Sequence, residues 1–182
     1  MSSTIRDGEE KLLMNWLEKE GIDYNQMIDY SIEGRDVMID RHTVYIGVSN
    51  RTTKEAISLV NELLPAHEVI PLPIKQDYLH LGCVFNVLSP TEALVFSSAF
   101  HNQELEILKE RYNLIEVTKE EQFTMGPNVL SIGNRKVISL PVNKYVNEKL
   151  RERNFEVIEI DISEIIKSGG SFRCCTMPLQ RA

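Results

Sequence analysis

Basic charge is scarce in this chain. Its 182 residues hold 20 Lys and Arg against 27 Asp and Glu, a net charge of -7, so the summed field attracts no polyanion and nucleic acid is not an expected partner. Long apolar runs are missing too: none approaches the roughly 18 residues of a spanning helix. The first residues, MSSTIRDGEE, lack the basic-then-apolar order of a signal peptide. The expectation is a cytoplasmic protein with no membrane partner. Cysteine is sparse and odd in number. Cys83, Cys174 and Cys175 make a poor disulfide framework but leave room for one reactive thiol. His42, His67, His80 and His101 are scattered, without the clustered spacing of a zinc site, so no metal is expected.

What is present is enough apolar residue, 42% of the chain, for one well-buried core, and one domain over residues 1–182 is the expectation. EKLLMNWLEKEG places Leu12, Leu13, Trp16 and Leu17 at helical spacing and ends at Gly21, a helix stop. Short runs broken by Gly34, then the alternating TVYIGVS, predict two strands. Thr52 or Thr53 caps the helix TKEAISLVNELL, Pro65 closes it, and HEVIPLP reads as extended. The same order recurs twice. CVFNVL and EALVFSSAF precede the helix QELEILKERY and the strand NLIEV. NVLSIGN and KVISLPV precede NKYVNEKLRER and EVIEIDI.

First strands aligned at Val37, Val84 and Val129 are offset by 47 and 45 residues. The reading is a strand, strand, helix, strand unit of about 45 residues, repeated side by side. Helix one and a strand after it look like the end of an earlier unit. Residues 163–167 read as a short helix and 173–177 as an unpaired strand, giving about three and a half units.

Several residues in this frame are equipped for chemistry. Two glycines precede Arg173, Cys174 and Cys175 in SGGSFRCCTMPLQ, so the backbone can bend there and bring a thiol to a concave mouth. On a strand the adjacent cysteines would face opposite ways. The plainer reading is a pair of small buried residues. His80 in DYLHLGCVFNVL lies at the start of a strand and is the kind of base thiolate chemistry needs, or a histidine satisfied by backbone bonds. Glu33 and Asp36 in IEGRDV flank a bend at Gly34 and can aim carboxylates at a cation, unless Arg35 merely neutralises them in a solvated turn. Arg51 in VSNRT follows the next strand, where its fork can hold a carboxylate or simply face solvent.

Four segments occur together and in order: IEGRDVMID, near the pattern E-G-G-D-V; VYIGVSNRT, near G-x-S-x-R-T; LHLGCVFNVL, near H-L-x-x-x-F-N-V-L; and GGSFRCCTMPL, near G-G-x-x-x-C-x-T-M-P-L. In these the chain resembles the guanidino-group-modifying superfamily, the penteins, which includes dimethylarginine dimethylaminohydrolases, arginine deiminases and amidinotransferases.

The resemblance implies an α+β fan of repeated β-β-α-β units, five in a complete α/β propeller. It also implies a hydrolase attacking the guanidinium carbon of an arginine-like small molecule, with no metal or organic cofactor. Cys174 would be the nucleophile, His80 the general acid and base, and Glu33 the carboxylate holding the guanidinium and the histidine in place. Arg51 would grip the substrate carboxylate, and Asp36 would join it in substrate binding as the family's supporting aspartate. The deiminase branch has an aspartate two residues after the histidine, where this chain has Gly82, so the resemblance favours the dimethylargininase-like branch. It implies further that complete members carry about two more N-terminal units. A truncated chain and a homo-oligomer covering its open edge are therefore expected. The alternative is a catalytically silent binding protein. A redox role for the Cys174 and Cys175 pair is weaker, because vicinal disulfides are strained and no C-x-x-C is present.

Overall fold

The computed structural model describes residues 8–27 and 29–176. Helix α1 (Glu9–Lys19) comes first. Three units of one pattern follow. The first is β1 (Val37–Asp40), β2 (Thr43–Val48), α2 (Lys54–Leu63) and β3 (Glu68–Pro73). The second is β4 (Phe85–Ser89), β5 (Glu92–Val95), α3 (Asn102–Arg111) and β6 (Asn113–Glu116). A short helix α4 (Lys119–Phe123) leads to the third: β7 (Leu130–Ser131), β8 (Lys136–Ser139), α5 (Lys144–Glu152) and β9 (Glu156–Glu159). Helix α6 (Ser163–Ile166) and a 3-10 turn at Phe172–Cys174 close the described chain.

Each unit is one three-stranded sheet in sequence order, with the middle strand antiparallel to the first and parallel to the third. The helix between the second and third strands makes the parallel return possible. Local chemistry fixes its start in the first unit, where the Thr53 hydroxyl accepts from the Ala56 N–H at 3.2 Å. In the third unit the Glu121 carboxylate takes the orphan N–H groups of Tyr145 and Val146 at 2.7 and 2.8 Å. The first strands β1, β4 and β7 lie next to one another. Between the first two sheets runs a core of Met38, Tyr45, Leu72, Leu81, Val84, Phe85 and Tyr112; Leu94, Ile115, Val137, Val146 and Leu150 fill the next. Fully burying one such side chain contributes about 1.5–3 kcal/mol, so each sheet is stabilised by its neighbours.

Two sequence expectations fail. Residues 22–27 and 29–33 form no strand, because no neighbouring strand offers them a ladder. Their backbone is pinned instead at Ser31, whose carbonyl accepts from Thr53 N, and at Glu33, whose N–H donates to Thr52 Oγ1. The predicted strand at 173–177 is a 3-10 turn over the described residues, since the Cys174 and Cys175 N–H groups both return to the Ser171 carbonyl; Met177 lies outside the described residues. Three complete units are formed, and no fourth sheet is present among the described residues. Among those residues no helix is long and apolar enough to cross a membrane.

Candidate active site

Most residues singled out from the sequence lie just before the first strand of a unit, joined there by Asn128, while Arg51 follows β2. Glu33, Arg35 and Asp36 precede β1, His80 and Cys83 precede β4, and Asn128 precedes β7. Cys174 stands where a fourth unit would begin. The steps from Asp36 to Cys83, Asn128 and Cys174 are 47, 45 and 46 residues, so the repeat itself assembles the cluster: equivalent positions of adjacent units converge because β1, β4 and β7 are neighbours.

Asp36 organises the first corner. It is fully buried. Its Oδ2 accepts from Ser49 Oγ and Thr52 Oγ1, both at 2.6 Å, and its Oδ1 accepts from the Leu81 N–H at 2.7 Å. One carboxylate thus ties the turn before β1 to the loop after β2 and to the residue following His80. With both oxygens engaged by protein donors, Asp36 faces the scaffold.

His80 is 1% exposed. Arg35 Nη1 stands 3.2 Å from its Nε2, and Cys83 Sγ lies 3.3 Å from its Nδ1. A guanidinium only donates, so Nε2 accepts, and the proton of the neutral ring is assigned to Nδ1, facing sulfur. Burial, aided by the cations of Arg35, Arg51 and Arg173, pushes the imidazole pKa down to about 4. Burial also pushes the Cys83 thiol up to about 11, so Cys83 is a protonated neighbour at neutral pH.

Glu33 and Arg51 meet at the mouth, Arg51 Nη1 lying 3.4 Å from Glu33 Oε2, with each side chain about one third exposed. Such an open pair contributes below about 1 kcal/mol and exchanges partners readily. Beside it lies a cavity of about 280 Å³ lined by Asn50, Arg51, Gln76, Asp77, Tyr78 and Leu79, reaching the residue before His80. A depression of the same volume at Glu18, Gly21 and Tyr24 contains none of the site residues.

Cys174 is held by Asn128. Asn128 Oδ1 accepts from the Arg173 N–H at 3.0 Å, which turns the amide so that Nδ2 donates to Cys174 Sγ, also at 3.0 Å. Arg173 Nη1 donates to Asn86 Oδ1 at 3.0 Å, and Asn86 Nδ2 bonds the Pro127 and Val129 carbonyls. The glycines before the turn are required. Gly169 has φ 85, in the left-handed region. A Cβ on Gly170 would stand 2.7 Å from Cys174 Cβ. Cys175 Sγ donates to the Ser171 carbonyl at 2.9 Å, and Cys175 is exposed. A turn, then, separates the two thiols where strand alternation was expected to.

Against known proteins, the sequence model of the family described as N,N dimethylarginine dimethylhydrolase, eukaryotic, matches residues 1–181. The chain belongs to this family. It is 51% identical over 181 residues to the uncharacterised Bacillus subtilis protein YkgA, covering 100% of this chain and 63% of that protein. It is 28% identical over 195 residues to an arginine deiminase of Listeria welshimeri, with 84% and 48% covered. The N-terminal domain of ArgZ, an arginine dihydrolase from cyanobacteria, superposes with a TM-score of 0.82 at 26% identity, over 93% of this chain and 65% of that one. The chain therefore spans about half to two thirds of the length of these relatives, which hydrolyse guanidino compounds where their names state an activity, and its fold is of the pentein type.

Three contributors escaped the sequence reading. Asn128 and Asn86 were unremarked polar residues, although both are at least 94% buried. The 45-residue step from Cys83 could have found Asn128. Arg35 was read as a neutraliser of Glu33 and Asp36, yet its hydrogen bonds run to His80 and to the Gly169 carbonyl. Gly82 has a steric side as well: a Cβ there would stand 3.0 Å from the Arg35 carbonyl oxygen, so an aspartate needs the backbone to yield. Among the described residues no group of three or more His, Cys, Asp and Glu is placed to hold a metal.

Proposed function

We propose that this chain carries the catalytic face of a hydrolase that attacks the guanidinium carbon of an arginine-like substrate, N-methylated arginine being the foremost candidate. The observation that supports it is that one guanidinium, that of Arg35, lies 3.2 Å from His80 Nε2 and shares the neighbourhood of Gly170 with Cys174 Sγ, in the same unit that holds the exchangeable pair Glu33 and Arg51. An α-amino acid with a guanidinium tail separates that pair: Glu33 takes the cation and Arg51 takes the carboxylate. The substrate cation beside Cys174 favours the thiolate.

The thiol proton passes to His80 Nε2 as sulfur bonds to the guanidinium carbon. His80 returns that proton to the departing amine, and the C–N bond breaks to leave an amidino adduct on sulfur. His80 then takes a proton from water, the hydroxyl adds to the adduct carbon, and the C–S bond breaks as His80 gives that proton to the leaving sulfur and the hydroxyl proton of the collapsing adduct passes to solvent. The products are citrulline and the free amine, with Cys174 restored. Asp36 acts through the loops it joins, as a positioning residue. The silent-binder reading draws on one feature, the guanidinium of Arg35 already lying on His80 Nε2.

Incubation with Nω,Nω-dimethyl-L-arginine and with L-arginine, followed by mass spectrometry of citrulline and of the peptide containing Cys174, tests the proposal. Citrulline and a transient amidino adduct are expected, both abolished in Cys174→Ser and His80→Ala. Citrulline formation that survives either substitution, or no product and no adduct from folded protein, would sink it.

A further inference from the structure

We propose that Arg35 occupies the guanidinium position of this site as an internal competitor, so that a ligand enters only by displacing it. The proposal rests on the site assignment above. Arg35 sits between Glu33 and Asp36 in the 3-10 turn Gly34–Asp36. The three hydrogen bonds of Asp36 fix that turn, and with it the origin of the Arg35 side chain. From there the guanidinium reaches across the mouth. Nη1 lies 3.2 Å from His80 Nε2 and 3.5 Å from the Gly169 carbonyl oxygen. Nη2 lies 3.3 Å from the point where a Gly170 Cβ would stand, and Cys174 Sγ lies 3.4 Å from that same point. A planar cation thus lies on the base and beside the same glycine as the nucleophile, and the reacting group of a substrate needs that neighbourhood.

Its hold there is weak. The two acceptors are an imidazole nitrogen and a carbonyl at the edge of hydrogen-bond range, and both are uncharged. The nearby carboxylates are engaged elsewhere, Asp36 with its donors and Glu33 with Arg51. An occupant held this loosely is a filter. Methylguanidine has nothing to offer beyond its cation and must compete with a tethered copy of itself. A guanidino amino acid also brings a carboxylate for Arg51 and gains a second point of attachment. Arg35 therefore lowers the affinity of every guanidine that needs its place, because only molecules with Arg35 swung away can bind one, and a ligand with an anionic end offsets that cost through Arg51. The cation beside Nε2 also contributes to the low pKa of His80.

Two measurements that need no turnover test this. In the first, methylguanidine protects Cys174 from iodoacetamide, followed by peptide mapping, in the wild-type protein and in Arg35→Ala. The half-protecting concentration is expected to fall at least tenfold in the variant, and that of L-arginine by a similar factor; wild-type and variant values for methylguanidine within twofold of each other overturn the proposal. The second follows the His80 imidazole by NMR titration in Arg35→Gln, which keeps the side-chain stem and removes the charge. The midpoint should move upward, and an unmoved midpoint overturns the placement of Arg35 on His80. Protection that changes in a protein making no citrulline would defeat the proposed activity and leave this inference standing; the reverse pattern would do the opposite.

Discussion

Replacing Asp36 with alanine should cost this fold about 4 kcal/mol, more than its place in a three-residue turn implies. The side chain is fully buried and accepts three hydrogen bonds at 2.6–2.7 Å. Bonds to a charged acceptor are worth roughly 1.5–3 kcal/mol each, and a buried donor left without a partner costs about 1–3 kcal/mol. The Leu81 N–H is stranded outright, since Leu81 is itself 0% exposed. The hydroxyls of Ser49 and Thr52 can turn, so they recover part of their loss. Against a total stability of about 5–15 kcal/mol, the change is large. It should lower Tm by roughly 10 °C in a chain of this size. Asp36→Asn keeps the shape and the acceptor for Leu81, and its amide can donate to the two hydroxyls, so about 1–2 kcal/mol is expected there. Urea unfolding at pH 7 measures both, read at constant m. An alanine variant within 1 kcal/mol of wild type would refute the reasoning. An asparagine variant of native stability without activity would show that Asp36 touches substrate directly.

The buried neutral His80 should make stability pH-dependent. Its folded pKa of about 4 lies below its ordinary value of 6.5, so the unfolded chain binds the extra proton first. The contribution is complete above about pH 6.5 and is lost as pH falls towards 4, by about 3 kcal/mol. His80→Gln should flatten the difference between urea midpoints at pH 7 and pH 4.5, and an unchanged difference would contradict the assignment. Iodoacetamide near neutral pH should label Cys174 ahead of Cys83, whose thiol burial holds protonated, and ahead of Cys175, which donates to Ser171; peptide mapping that finds either of those first would count against the nucleophile. Helix α1 buries no residue, and Leu12, Leu13 and Trp16 are 71%, 40% and 38% exposed, so self-association through this helix is expected. Light scattering that reports a 20.9 kDa monomer across a concentration series would remove that expectation.

Period and punctuation are local properties, and they were legible. The three helices of the units, the first capped at Thr53 and closed near Pro65, and the parallel strands ending each unit follow from alternation, helical spacing and turn residues that act within one segment. Two strands misread from the same signals show where that locality ends. Extended sequence at 22–27 and 29–33 becomes a strand only if an edge is there to pair with, and 173–176 turned because one carbonyl, that of Ser171, gathers the N–H groups that a ladder would have used.

By itself the sequence determined the unit, its repetition, and the residue types available for chemistry: a thiol at 174, an imidazole at 80, carboxylates at 33 and 36, and a guanidinium at 51. Tertiary structure alone decided which of them face the mouth. Asp36 was drawn into the scaffold because a buried carboxylate needs donors, and Ser49, Thr52 and Leu81 supply them from two other loops. Arg35 turned from its neighbouring carboxylates to His80, 45 positions away. Such choices depend on contacts between units, and sequence patterns report only what happens within one.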